Sequence, residues 1–217
     1  MKTFFIKKKL GVLGGGQLGK MLMNVTKKWS IETYILDPNP NCPASKCCDF
    51  FFKGDFNNYQ DVYNFGKKVD IITIEIEHVN VKALYKLEKE GIDVYPSPSN
   101  IELIQNKGVQ KDFFKKNKIP TSDYIRFDNK KMLSTYISKL ESRYPFIWKS
   151  ERMGYDGKGV KLVQSLSDLE KINENSCLIE DVVDIKHELA VLVARNNSGN
   201  SKSFPVLEME FNQKSNQ

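Results

Sequence analysis

The sequence predicts an α/β fold: a parallel sheet flanked by helices, followed by an α+β part with antiparallel strands. Two observations carry this reading. Short apolar runs alternate with helical patterns through the first half of the chain, as in a parallel sheet with crossover helices. Beyond the run Pro96-Ser97-Pro98-Ser99 the order becomes helix, helix and then several strands with short connections, which favour antiparallel pairing. A boundary is expected at that run, giving domains 1–98 and 99–217.

In chain order, Lys9 to Leu13 reads as a strand, Gln17 to Lys28 as a helix and Glu32 to Leu36 as a strand. Asp70 to Ile76 is an apolar run with acids at its end, the pattern of a buried parallel strand. A helix over Lys82 to Glu90 follows, ended by Gly91, and then a short strand around Val94. The second part begins with helices at Ile101 to Gln105 and Val109 to Asn117, and another at Lys131 to Glu141. Strands are expected at Phe146 to Lys149, Val160 to Val163, Cys177 to Glu180, Leu189 to Ala194 and Phe204 to Glu210.

A chain of 217 residues with 40% hydrophobic content can bury a real core. It holds no apolar run of about 20 residues, and Lys2, Lys7, Lys8 and Lys9 interrupt the opening where a signal peptide carries its apolar segment, so a soluble cytoplasmic protein is expected. Cys42, Cys47, Cys48 and Cys177 lack the paired spacing of a zinc site and read as free thiols. The net charge of +6 comes mostly from scattered lysines, with arginine only at Arg126, Arg143, Arg152 and Arg195. That is not the arginine-rich, aromatic-interleaved stripe of a nucleic-acid surface, so no nucleic-acid partner is expected.

Three segments carry candidate chemistry. Gly14-Gly15-Gly16-Gln17-Leu18-Gly19 lies between a strand and a helix, where backbone amides and a helix N-terminus can meet an anion. The spacing alone fits a nicotinamide or flavin site, with Asp37 near the ribose-binding position, or a phosphate-bearing substrate, or a tight turn. Gly154-Tyr155-Asp156-Gly157-Lys158-Gly159 follows the strand that ends in Lys149 and has the make-up of a flap able to fold amides and a cation over phosphates. It is not a P-loop, and a glycine-rich hairpin is its plain alternative. Leu178-Ile179-Glu180-Asp181-Val182-Val183 ends a strand in acids; an open strand edge there would give an adenine a donor and an acceptor, while Glu188 follows nearby. By itself this segment also fits a solvated acidic turn.

Taken together and in this order, the segments resemble the ATP-grasp superfamily and, within it, the 5-(carboxyamino)imidazole ribonucleotide synthases. The resemblance runs through Leu10 to Met21, Ile74-Glu75-Ile76-Glu77-His78-Val79, Gln105-Asn106-Lys107-Gly108-Val109-Gln110-Lys111, Gly154 to Gly159 and Phe204-Pro205-Val206-Leu207-Glu208-Met209. It implies a Rossmann-like pre-ATP-grasp domain followed by the amino-terminal part of an ATP-grasp domain. It also implies ATP-dependent carboxylation of aminoimidazole ribonucleotide by bicarbonate, through carboxyphosphate, in purine biosynthesis.

By the same resemblance Lys107 and Lys149 contact the ATP phosphates, and Gly154, Tyr155, Asp156, Gly157, Lys158 and Gly159 close over them, with Lys149 and Lys158 as the catalytic cations. Glu180, Asp181, Val182 and Val183 line the adenine, and Glu188 accepts from the ribose. Gly16, Gln17, Leu18 and Glu75 face the ribonucleotide; Tyr155 touches substrate or bicarbonate, or only anchors its loop. His78 and His187 match no acid-base role. Magnesium is implied with ATP, but no metal ligand is assigned to this chain, because the family continues past Phe211 into the segment that holds the metal. The chain is therefore expected to be truncated, with a homodimer or a complementing fragment as partner. A nucleotide-binding protein without turnover and a nicotinamide or flavin oxidoreductase are the competing readings.

Overall fold

The computed structural model describes residues 8–138, 144–152, 159–172 and 175–210. Two compact units divide the chain, Met1–Ile119 with Glu151–Met153, and Pro120–Ser150 with Gly154–Gln217. Among the described residues no helix is long and apolar enough to cross a membrane. None of the four cysteines is in a disulfide.

The first unit contains β1 (Leu10–Leu13), α1 (Gln17–Thr26), β2 (Thr33–Asp37), β3 (Phe50–Lys53), α2 (Tyr59–Gly66), β4 (Ile71–Ile74), α3 (Val81–Lys89), β5 (Asp93–Tyr95), α4 (Pro98–Ile104) and α5 (Lys107–Lys116). Its five strands are all parallel, in the order β3-β2-β1-β4-β5. Alternation along each strand sends neighbouring side chains to opposite faces. Leu13, Leu36 and Ile72 pack with Val62 and Phe65 of α2 and Leu84 and Leu87 of α3. On the other face Val12 and Ile35 meet Met23 of α1 and Ala44. Both faces are thus covered, which explains why the strands read as near-continuous apolar runs.

Helices α2, α3 and α4 start where an asparagine or serine caps them. Asn58 accepts from the amides of Gln60 and Asp61, Asn80 from Ala83 and Ser97 from Asn100, each cap contributing roughly 1 kcal/mol. Strand β3 and helix α2 were not expected from the sequence. β3 is a four-residue edge strand, too short for alternation to show, and α2 is defined at its start by a side-chain cap. The helix expected to reach Lys28 ends at Thr26 and passes into a 3-10 turn over Lys27–Trp29. Helices α4 and α5, which follow the boundary expected at 98/99, belong to the first compact unit, α4 packing against α3 and α5.

The second unit contains β6 (Tyr124–Phe127), α6 (Lys130–Ile137), β7 (Phe146–Ser150), β8 (Val160–Val163), α7 (Leu166–Glu170), β9 (Cys177–Asp181), β10 (Glu188–Ala190), β11 (Val193–Arg195), β12 (Ser201–Ser203) and β13 (Leu207–Met209). Four strands form an antiparallel sheet in the order β6-β9-β7-β8. Phe146, Trp148, Cys177 and Ile179 on one face pack against Leu133 and Ile137 of α6 and Leu169 of α7. Ile147, Lys149, Leu178 and Glu180 therefore share the opposite face. The remaining strands form two antiparallel ribbons, β10 with β13 and β11 with β12. The single strand expected over 189–194 is split between these ribbons. The one expected from Phe204 is confined to Leu207–Met209, past Pro205, which lacks the N–H a ladder needs.

Candidate functional site

In the first unit, Gly14 to Gly16 form the turn between β1 and α1. Gly14 has φ +96°, a left-handed conformation open to glycine, and a Cβ there would lie 2.7 Å from Glu75 Oε2. At Gly16 a Cβ would fall inside contact distance of Glu75 Oε1. Glu75 follows β4, its amide donating to the Leu13 carbonyl at 2.8 Å, so adjacent parallel strands deliver the carboxylate onto the glycine turn. The turn is also held from behind. The Gly14 amide donates to the Leu36 carbonyl at 3.0 Å, and the Gly15 carbonyl accepts from Ala44 at 2.9 Å.

Gly16 makes no side-chain cap for α1, and the helix has no acid in its first turn. Its N-terminal amides, with the exposed Gln17 and Leu18, thus suit an anionic group. Here the structure brings together Gly16, Gln17, Leu18 and Glu75.

Asp37 is buried at the end of β2, and its two oxygens accept from the amides of Gly15 and Asn39, each at 2.8 Å. The carboxylate is committed to the protein backbone, which argues against the ribose-binding role that a dinucleotide reading gave it. Cys42 packs its sulfur against Gly15, and burial, reinforced by the Asp37 charge, pushes its thiol up. It is a neutral packing group.

Lys107 is the first residue of α5. Its amide donates to the Glu151 carbonyl at 2.9 Å, while Asn106 caps the helix by accepting from Val109 at 3.0 Å. The buried Asn106 side chain also reaches the buried Glu151 carboxylate at 3.4 Å. Lys107 thus belongs to the first unit, whereas Lys149 belongs to the second.

In the second unit, β7 and β9 pair with Ile147 opposite Glu180 and Lys149 opposite Leu178, so Lys149 and Glu180 are diagonal neighbours on one face. Lys149 Nζ stands 3.0 Å from Glu180 Oε1, with side-chain exposures of 26% and 7%. The contact is an ion pair between side chains of adjacent strands. Glu180 Oε2 accepts from Ser122 Oγ at 2.7 Å. Half-exposed Val160 and Leu162 of β8 lie opposite Lys149 and Ile147 and give the same face an apolar strip. A lysine beside an apolar strip matches a ligand that is ring at one end and anion at the other.

The segment that follows β7 is fastened where it rejoins the sheet, since the Ser150 amide donates to the Gly159 carbonyl at 2.8 Å. Gly154, Tyr155, Asp156, Gly157 and Lys158 lie outside the described residues. Sequence reasoning expected an open strand edge at Glu180 and Asp181, and the register corrects this. β9 is an interior strand, with Glu180 opposite both Tyr124 and Ile147, and the Asp181 amide donates to the Asp123 carbonyl at 3.1 Å. Val182 and Val183, both well exposed, are the first residues past the ladder. Glu188 is an exposed residue of β10, opposite Met209. Beside it His187 Nδ1 meets Glu208 Oε1 at 2.5 Å, a pairing no local pattern announced. Ser122 and the inward turn of Asp37 were also missed; both depend on residues distant in sequence.

Residues 7–105 match the model of the ribonucleotide synthetase preATP-grasp domain, and residues 112–216 match that of the ATP-grasp domain. The structure superposes on N5-carboxyaminoimidazole ribonucleotide synthetase from Thermotoga maritima with a TM-score of 0.82 at 36% identity, covering 93% of this chain and 53% of that one. The chain joins a ribonucleotide-synthetase preATP-grasp domain to ATP-grasp sequence. Another solved synthase, N5-carboxyaminoimidazole synthase from Aspergillus clavatus in complex with ADP and 5-aminoimidazole ribonucleotide, gives a TM-score of 0.81 at 29% identity, with 97% of this chain and 55% of that one covered. Phosphoribosylaminoimidazole carboxylase from Candida glabrata is 37% identical over 207 residues, which are 92% of this chain and 36% of that protein. The chain thus spans about half the length of the solved synthases and about a third of the carboxylase.

Proposed function

We propose that this chain carries the nucleotide-binding and aminoimidazole-ribonucleotide-binding parts of an ATP-dependent carbon–nitrogen ligase. In the reaction assigned to it, a bicarbonate oxygen attacks the γ-phosphorus of ATP, releasing ADP and forming carboxyphosphate. The ribonucleotide amine then takes the carboxyl carbon, and phosphate leaves with the bond electrons. The observation that carries the reading is the glycine turn, with Glu75 laid across Gly14 and Gly16, in a fold shared with a synthase that binds ADP and 5-aminoimidazole ribonucleotide.

Lys149 and Lys107 are assigned to the ATP phosphates, where fixed positive charge offsets the negative charge that shifts during phosphoryl transfer. Lys158 and the glycines around it have the composition for the same task. Past the β9 ladder, Val182 and Val183 are assigned to the adenine edge, and Glu188 to the ribose. The amides opening α1, with Glu75, are assigned to the ribonucleotide. Magnesium accompanies ATP in this chemistry, and the described residues contain no group of three His, Cys, Asp or Glu suited to a metal.

Calorimetric titration of the 217-residue chain with ADP tests the reading. Binding is expected, and Lys149→Ala should weaken it by about ten-fold or more, since a hydrogen bond to a charged group contributes roughly 1.5 to 3 kcal/mol. Equal affinity in the variant and the parent would rule out the assignment of Lys149. Hydrolysis of ATP that requires both bicarbonate and the ribonucleotide would extend the reading from binding to turnover.

A further inference from the structure

Glu180 brings an acid into the interior of the four-stranded sheet. It is buried on the face of the sheet opposite α6 and α7, with one oxygen toward Lys149 Nζ at 3.0 Å and the other accepting from Ser122 Oγ at 2.7 Å. Ser122 lies 58 residues away, in the segment leading into β6, and β6 pairs with β9 so that Tyr124 stands opposite Glu180. The sheet therefore delivers three groups from three strands or strand approaches to one point. A carboxylate on a strand has a free terminal torsion, and a hydroxyl bound to one oxygen fixes the direction of the other. We propose that Ser122 and Glu180 are positioning residues that hold the Lys149 ammonium in place for the phosphates of a bound nucleotide. The part of this that concerns nucleotide rests on the function proposed above; the part that concerns the side chains does not.

Two consequences separate this arrangement from a plain structural contact. A lysine is a flexible four-carbon stem with a costly freedom to lose, so pre-ordering its head raises affinity for the anion it meets. Removing Ser122 should therefore disorder Lys149 while leaving its charge and the helix-packed face of the sheet unchanged. Threonine carries the same hydroxyl and should restore the order.

The experiment is NMR of the lysine NH3 groups in the ligand-free 217-residue chain, with the Lys149 signal identified by its loss in Lys149→Ala. The parent and Ser122→Thr should show a slowly exchanging Lys149 ammonium. In Ser122→Ala and Glu180→Gln the exchange should be about ten-fold faster, because the ammonium no longer faces a carboxylate held in one orientation. Affinity for ADP should fall by a similar factor in Ser122→Ala and recover in Ser122→Thr, while the thermal midpoint falls in Ser122→Ala because the buried Glu180 Oε2 loses its donor. If Lys149 exchanges equally fast in the parent and in Ser122→Ala, the proposal is overturned. If exchange changes as expected but the parent binds no ADP, the positioning of Lys149 stands and the nucleotide reading is what fails.

Discussion

Asp37 and Glu75 show how two carboxylates beside one glycine turn take different tasks. Asp37 is buried and accepts from the Gly15 and Asn39 amides, whereas Glu75 lies across Gly14 and Gly16 from the adjacent strand. Truncating Asp37 leaves the buried Gly15 amide without its acceptor, so Asp37→Ala should lower stability by about 1 to 3 kcal/mol in urea unfolding. Asp37→Asn keeps one acceptor oxygen and should cost less. A loss below about 0.5 kcal/mol in the alanine variant would mean that water replaces the carboxylate. The sequence placed Gly14 to Gly16 correctly at a strand-to-helix turn, because glycines bounded by an apolar run and a helical pattern are a local signal. It did not reveal which acid faces inward, because Asp37 and Glu75 both end apolar strands and differ only in what those strands pack beside.

At the scale of elements, the C-terminal end of α3 is tied to α2 through Glu90. Its carboxylate meets Lys86 at 2.9 Å, Lys67 at 3.1 Å and the Tyr63 hydroxyl at 3.0 Å. A negative charge at a helix C-terminus opposes the helix dipole, and here the two lysines outweigh that repulsion. The hydrogen bond from Lys86, followed by that from Lys67, lowers the Glu90 carboxyl to about 2 from an ordinary 4.5. A depressed folded-state value means that the stabilisation is fully present above the unfolded value and is lost as pH falls through the window between them. The melting-temperature gap between the parent and Glu90→Gln should thus be constant above about pH 5 and shrink as the pH is lowered toward about 3. A gap independent of pH would show that the lysines do not act through the carboxylate charge. The sequence located α3 within one residue at each end, since its apolar spacing and Gly91 are local. It missed β3, β6 and α7, elements of only four or five residues that gain their identity from the neighbours they pair with or pack on.

Across the molecule, apolar exposure is concentrated beyond β9. Leu189, Leu192, Val193 and Val206 are each at least 60% exposed, on or beside two-stranded ribbons that have no further strand among the described residues. Isolated ribbons are marginal in water, and contiguous apolar surface of this kind attracts other apolar groups. The chain should therefore enhance the fluorescence of anilinonaphthalene sulfonate. Leu192→Glu should reduce that signal without lowering the thermal midpoint of the four-stranded sheet. A dye-silent parent would mean that this surface is covered in solution.

The sequence by itself determined the class of fold, the alternation of strand and helix in the first unit, and the glycine segments, because each is written within a window of a few residues. The family resemblance was legible for the same reason: its motifs are contiguous. Only the tertiary structure decided that β9 is an interior strand, that Asp37 serves the backbone, and that Ser122, Lys149 and Glu180 converge. Those outcomes depend on strand register, and register is fixed by which faces can be buried against residues tens of positions away.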